Sequence, residues 1–354
     1  MFRTSTKTWL AVAAALVPFV ASAEGSSVSI YGRADLGPLY QSNPKDGTNI
    51  KLNEVSANRI GFIGSEDLGD GNSAFFRLEH RLYLATGAER SGTRFWTDKA
   101  WVGIKSKTLG ALSGGRVLTV GNTIVGGGDF EAMTDSIGSV NSRKGRIENN
   151  MDNGLFYESP WFDLADKTKL RGFAQYTIPL SELASPYSVG FQLRSGDLKW
   201  DAGYQHDVYK DALDPETEDR LSNSMFTGLA YDFGSFVLKG TFANSKGYQG
   251  DVVDHSPYRM RTAALSLNKS FGKWDLGLMG TRKTETSTSG AVQPTLDKFA
   301  VGYWYNFSKR TKFMPTIAYE RLSGDGYKSG SNGYGENKDK KDNLYIQLGL
   351  RHEF

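Results

Sequence analysis

The 354 residues carry 42 Lys and Arg against 39 Asp and Glu, with four His and no Cys. That balance is no electrostatic footprint for nucleic acid, and the missing cysteines exclude a disulfide framework and thiolate chemistry. A mean hydropathy of −0.43 suits a soluble protein, but it equally suits a barrel in which half of every strand faces water.

The first segment is basic and then apolar. Met1 to Thr8 holds Arg3 and Lys7 and no acid, Trp9 to Val20 is an apolar run, and Ala21-Ser22-Ala23 offers a small-x-small cleavage site. This reads as a secretory signal peptide over residues 1–23, too short to span a bilayer as a helix. The mature chain, residues 24–354, then holds 40 bases and 39 acids, and no later stretch is long and apolar enough for a transmembrane helix. Its 41 glycines and 12% aromatics suit turns, strand kinks and interfacial girdles.

From Ser27 onward, short segments of period-two alternation recur. Sixteen can be read, at about 27–40, 51–66, 72–85, 95–106, 110–117, 150–159, 168–179, 187–195, 198–208, 222–232, 236–246, 259–270, 273–284, 296–307, 310–322 and 343–354. Their connections alternate in length. Glu66 to Gly71, Lys107 to Gly110, Ser195 to Asp197, Asp232 to Ser235, Phe271 to Lys273 and Ser308 to Arg310 are tight, whereas Tyr209 to Leu221 and Ser323 to Asp342 are long and polar. Short turns on one rim and long loops on the other predict an all-β, sixteen-stranded antiparallel transmembrane β-barrel. An immunoglobulin-like sandwich would not sort its loops by parity.

Alternation also assigns faces. Phe299, Val301, Tyr303, Tyr305 and Phe307 form an outward stripe, aromatic at its ends. Arg33 and Asp35 fall on the lumen side beside Tyr31. Arg59 falls there next to outward Ile60 and Phe62, and so do Arg77, Glu79 and Arg81 between outward Phe76, Leu78 and Leu82. An Arg facing lipid at mid-depth costs about 2–4 kcal/mol, which favours the lumen. Arg116 stands where the fifth segment hands over to the longest connection. Pro315 inside the fifteenth segment predicts a bulge or an unpaired strand end, since proline cannot donate to a ladder.

The long connection, about residues 117–149, carries Gly126-Gly127-Gly128 and then Asp129, Glu131 and Asp135. A long structureless loop in a compact protein is usually functional. It is not a P-loop, because no GK[ST] follows and no helix opens there. The four histidines, His80, His206, His255 and His352, show no metal-ligand spacing, and no motif suggests a catalytic triad. Asp232, Asp251 and the stretch from Asp339 to Asp342 read as solvated loop or turn charges.

The chain stops on NLYIQLGLRHEF, from Asn343 to Phe354, with Leu344, Ile346, Leu348 and Leu350 on one face. This string resembles the terminal strand of Gram-negative outer-membrane porins. Four other stretches resemble the porins of Burkholderia, Bordetella, Comamonas and Neisseria type: SVSIYGRADLG from Ser27, NRIGFIGSEDLGDG from Asn58, KAWVGI from Lys99 followed by LGALSGGR from Leu109, and YNFSKRT from Tyr305. The SEDLGDG turn and the terminal GLRHEF are the more specific of these. The resemblance implies a passive channel in the bacterial outer membrane, usually a homotrimer among lipid and lipopolysaccharide. It implies a third external loop folded into the pore, a final Phe that aids assembly, and no cofactor. Related porins often carry Arg where Asp98 stands, so strong anion selectivity does not transfer. The site expected is a pore constriction with Arg33, Arg59, Arg77, Arg81 and Arg116 on the wall and Asp129, Glu131 and Asp135 on the loop. It would pass small hydrophilic solutes and ions with weak anion preference. The rivals are a channel selective for a small carboxylate, a barrel enzyme and an adhesin.

Overall fold

The computed structural model describes residues 25–44, 47–124, 149–178, 186–209, 220–247, 258–287, 292–323 and 340–354. The expected signal peptide, the glycine triplet and the loop acids Asp129, Glu131 and Asp135 lie outside the described residues.

The strand segments are β1 (Ser27–Gln41), β2 (Ile50–Asn53), β3 (Asn58–Gly69), β4 (Asn72–Leu82), β5 (Lys99–Ser106) and β6 (Gly110–Leu118). One short helix, α1 (Val120–Ile124), follows. Then come β7 (Asn150–Glu158), β8 (Phe162–Ala165), β9 (Thr168–Thr177), β10 (Tyr187–Ser195), β11 (Leu198–Tyr209) and β12 (Arg220–Asp232). The last six are β13 (Val237–Gly247), β14 (Tyr258–Phe271), β15 (Trp274–Ser287), β16 (Val292–Asn306), β17 (Thr311–Ser323) and β18 (Asp342–Glu353).

All pairings are antiparallel, and β1 pairs with β18, so the sheet closes on itself. Both β2 and β3 pair with β1, and both β7 and β8 pair with β9. Each of these couples is one broken strand, which reduces the segments to a closed barrel of sixteen strands. Closure leaves no unpaired edge in hydrocarbon, where each unsatisfied backbone group would cost several kcal/mol.

Side chains sort by face along the strands among the described residues. On β17, Met314, Thr316, Ala318, Glu320 and Leu322 are buried, while Phe313, Ile317 and Tyr319 are exposed. An apolar exposed face and a polar enclosed face define lipid and lumen sides. Near the short-turn rim the outward aromatics gather: Trp274 stacks on Tyr303 at 4.6 Å and meets Tyr305 at 4.7 Å. This is the expected interfacial belt.

Two local departures have physical causes. Between Asn53 and Arg59 the chain takes six steps while β1 takes four, from Gly37 to Arg33. The surplus residues bulge into the lumen, where Val55 packs against Trp304 and Met314. At Pro315 the expected bulge or unpaired end is absent. β17 runs through in one register, and the ladder to β16 merely lapses between Gly302↔Thr316 and Tyr305↔Phe313. Pro315 still pairs in register with Leu348 on its other side.

Beyond β6 the chain turns inward. Thr119 caps α1 by accepting from the Asn122 N–H at 3.2 Å, and the Val120 N–H donates to Ser188 Oγ at 3.1 Å. Five residues cannot hold a helix alone. Val120 and Ile124 instead bury against Phe173, Phe226 and Ala243 on the lumen side, each worth about 1.5–3 kcal/mol. Gly190 on β10 leaves room for both, because a Cβ there would stand 2.7 Å from Val120 Cγ1.

Phe354 completes the closure. Its N–H donates to the Gly32 carbonyl at 3.2 Å, and Gly32 N–H returns a bond of 3.0 Å. Its ring covers Gly32, where no Cβ would fit. Phe354→Asp is expected to cost roughly 2 kcal/mol by losing that packing and placing a charge at the lipid interface. Urea unfolding in detergent should show a lower midpoint. An unchanged midpoint would mean that the ring plays no part in closing the barrel.

Candidate pore constriction

The lumen faces of β1, β3, β4 and β5 converge on one buried carboxylate. Glu79 has no exposed surface. Tyr31 Oη donates to its Oε2 at 2.8 Å, and Lys99 Nζ does so at 2.8 Å. Arg59, Arg77 and Arg81 bring guanidinium nitrogens to 3.4, 3.6 and 3.9 Å. Arg77 Nε also donates to Tyr31 Oη at 2.8 Å, and its guanidinium lies 4.8 Å from the centre of that ring.

A second carboxylate completes the group. Asp98 accepts from Arg81 Nη2 at 2.6 Å and from Lys99 Nζ at 2.7 Å. Four cations thus surround two carboxylates. The carboxylates are almost wholly buried, whereas the three arginine side chains stay 21–33% exposed. Water in the lumen therefore meets guanidinium edges, with the acids lodged behind them.

Arg33 adjoins this group on β1. It pairs with Glu353 at 2.7 Å and donates to Ser56 Oγ at 3.0 Å. Beside it Arg351 pairs with buried Asp35 at 3.1 Å. The structure thus brings Arg33, Arg59, Arg77 and Arg81 onto one inner wall. It adds Lys99 and Arg351, which sequence reasoning had passed over. The signal for Lys99 was available: it stands two residues before inward Trp101, in the alternation that sends Val102 and Ile104 outward.

Arg116 does not belong to this wall. In register it lies opposite Ala100, on the same face as Val102, Ile104 and Leu112. That face is outward, since Val102, Ile104 and Leu112 are 52–64% exposed. Arg116 pairs there with Asp152 at 2.5 Å and donates to the Thr97 carbonyl at 2.9 Å, and Arg94 joins the same carboxylate at 2.7 Å. The chain between β4 and β5 lies over this outer surface, with Phe95 stacked on His80 at 4.3 Å and Trp96 edge-on to Phe62 at 6.1 Å.

The wall faces the seat of α1 across the barrel. The basic group occupies β18, β1, β3, β4 and β5, and α1 leans on β9, β10 and β11. Among the described residues no group of three or more His, Asp or Glu could hold a metal ion.

A closed, sixteen-stranded barrel with a charged, wet interior is a transmembrane pore by architecture. A family profile described as Gram-negative porin matches residues 10–325, and the chain belongs to that family. Its relatives include an outer membrane porin protein of Bordetella pertussis, 24% identical over 409 residues, covering 98% of this chain and all of that protein. Major outer membrane protein P.IB of Neisseria meningitidis is 24% identical over 365 residues, covering 98% of this chain and 99% of that protein. Among solved structures, the anion-selective porin from Comamonas acidovorans superposes with a TM-score of 0.73 at 18% identity, covering 93% of this chain and 100% of that one. The trimer form of OmpT from Vibrio cholerae gives 0.67 at 18% identity, covering 94% and 100%. This chain is an outer-membrane porin.

Glu79→Gln tests the centre of the wall. Removing one partner of a buried ion pair typically costs about 3–5 kcal/mol, because the remaining charges are left uncompensated. The variant should unfold at lower urea and move the zero-current potential in a salt gradient toward anions. A variant with wild-type stability and potential would show that Glu79 does not neutralise these bases.

Proposed function

We propose that this porin is a general diffusion channel with weak anion preference. The observation that carries this reading is the placement of charge at the inner wall. Guanidinium edges of Arg59, Arg77 and Arg81 meet the lumen, while Glu79 and Asp98 are buried behind them. Selectivity is set where the channel is narrowest, and fixed charges there act on ions and dipoles directly. The Comamonas acidovorans porin of similar fold is anion-selective, which agrees in sign. Acids close to every base keep the preference weak.

In this reading residues 117–149 form the constriction loop. α1 is its anchored beginning, and Asp129, Glu131 and Asp135 are its acids opposite the wall. A transverse field between the two sides orients dipolar solutes and lets small hydrophilic molecules and ions pass down their gradients. No cofactor or energy source enters. The barrel domain, residues 24–354, follows export by the signal peptide and assembles as a homotrimer. Its outward apolar stripe meets lipid, and its outer rim meets lipopolysaccharide.

An enzymatic or purely adhesive barrel finds less support. His80, His206 and His352 share the outward faces of their strands, so none of these bases meets the lumen. A plugged or catalytic barrel would also show negligible conductance in a planar bilayer.

Replacing Arg59 and Arg77 together with Ser should enlarge single-channel conductance and shift the zero-current potential toward cations. The shift should shrink as salt rises, since the Debye length is about 10 Å at 0.1 M and about 3 Å at 1 M. An unchanged reversal potential would mean that these arginines do not line the constriction.

A further inference from the structure

Between β2 and β3 the chain leaves the wall and is fastened inside the barrel on both sides. Asn53 lies opposite Gly37 and Arg59 opposite Arg33, so residues 54–58 cross a gap that three residues would fill. The surplus of two is even, so the strand keeps its facing on either side of the bulge. A gap in a ladder leaves backbone groups that need partners. Here side chains supply them. The Asp35 N–H donates to Asn58 Oδ1 at 2.5 Å, and the Asp35 carboxylate accepts from the Ser56 N–H at 2.9 Å.

On one side the segment reaches past β1. Val55 has no exposed surface and packs with Trp304 of β16 and Met314 of β17. It also fills the space over Gly349 of β18, where a Cβ would stand 2.1 Å from Val55 Cγ2. Gly349 lies between Gln347 and Arg351 on the lumen face of β18. Gln347 Nε2 donates to the Asn53 carbonyl at 3.1 Å, and Arg351 Nε donates at 3.1 Å to the same Asp35 that holds Ser56. Three successive lumen-facing positions of β18 thus seat the segment. On the other side Glu54 accepts from Asn58 Nδ2 at 2.7 Å and from the Leu84 N–H at 3.0 Å, which ties it to the end of β4.

The segment also holds two arginines of the basic wall. Arg33 Nη1 donates to Ser56 Oγ at 3.0 Å, while its Nε and Nη2 reach Glu353 at 2.9 and 2.7 Å. Arg59 Nε donates to the Ala57 carbonyl at 3.4 Å. A guanidinium is a rigid planar fork, so anchors on two of its edges set its direction.

We infer that residues 53–58 are a second constriction element, a fixed wedge that takes up lumen cross-section beside the basic wall and aims Arg33 and Arg59. It narrows the pore from the side opposite the seat of α1. Val55 sets the place of the wedge and so the width of the channel. Ser56 is the positioning residue for Arg33 and so a determinant of ion selectivity. This inference rests on the reading above that ions are sorted at the basic wall.

Deleting Val55 and Ser56 together removes the wedge. Three residues then match Leu36, Asp35 and Ala34, and β2 and β3 become one strand with every face preserved. In planar bilayers this variant should conduct more than wild type and admit larger neutral polyethylene glycols. Its zero-current potential in a salt gradient should move toward cations. Ser56→Ala separates direction from width. Val55 keeps the wedge seated, so the polyethylene glycol cut-off should stay, while the potential shifts toward cations because Arg33 retains only Glu353. Ser56→Thr keeps a hydroxyl and should keep the wild-type potential. A segment with a purely structural role would lower the urea midpoint and leave potential and cut-off where they were, and that result would overturn the wedge. So would a wild-type potential in Ser56→Ala, which also decides the matter if the deletion variant does not assemble. Arg59→Ser with Arg77→Ser, recorded in parallel, tells the two readings apart. If that variant shifts the potential and the wedge variants do not, the wedge falls and the basic wall stands. If none of them shifts it, the wall does not sort ions and the wedge falls with it.

Discussion

Hydrocarbon cannot hydrogen-bond, and the rest of this structure follows from that constraint. Every strand must be paired on both sides, so β18 returns to β1 and Phe354 settles over Gly32. Once the sheet is closed, alternate side chains have two destinations and no third. Lipid selects the apolar set, and the lumen is left with the charged one. The pore's chemistry is thus a consequence of strand period.

Inside, the problem becomes electrostatic. Several arginines projecting into one wall repel each other, and the barrel answers with buried carboxylates. Glu79, Asp98 and Asp35 are each almost fully enclosed and each touch at least one cation. Buried acid behind exposed base gives the wall rigidity and a positive surface together. A carboxylate at the lumen surface would neutralise the wall toward water as well. The depth at which each sign sits therefore matters more for selectivity than the net charge of the chain.

Much of this was legible in the sequence because strand period is local. Alternation around Phe76, Leu78 and Leu82 places Arg77, Glu79 and Arg81 inside, and the loop parity yields the strand count. What depends on register was not legible. Arg116 faces outward because β6 runs in unbroken register with β5, with Leu112 opposite Ile104, Gly114 opposite Val102 and Arg116 opposite Ala100. The surplus residues around Val55 reveal themselves only against β1. That Lys169, Arg194 and Lys199 stand opposite one another emerges only when β9, β10 and β11 are in register. The turn at Asp166 and Lys167 also went unread, because β7 and β8 are one strand broken at Trp161.

The lumen placement of the basic wall is the central claim, and the cysteine-free chain allows a direct measurement. Single variants Arg77→Cys, Leu78→Cys and Arg116→Cys would be exposed to a charged, water-soluble thiol reagent while current is recorded in a planar bilayer. Arg77→Cys should react quickly and change the conductance in a step, whereas Leu78→Cys and Arg116→Cys should leave the current unchanged. Reaction at Arg116→Cys that alters the current, or an inert Arg77→Cys, would contradict the facing on which the whole account rests.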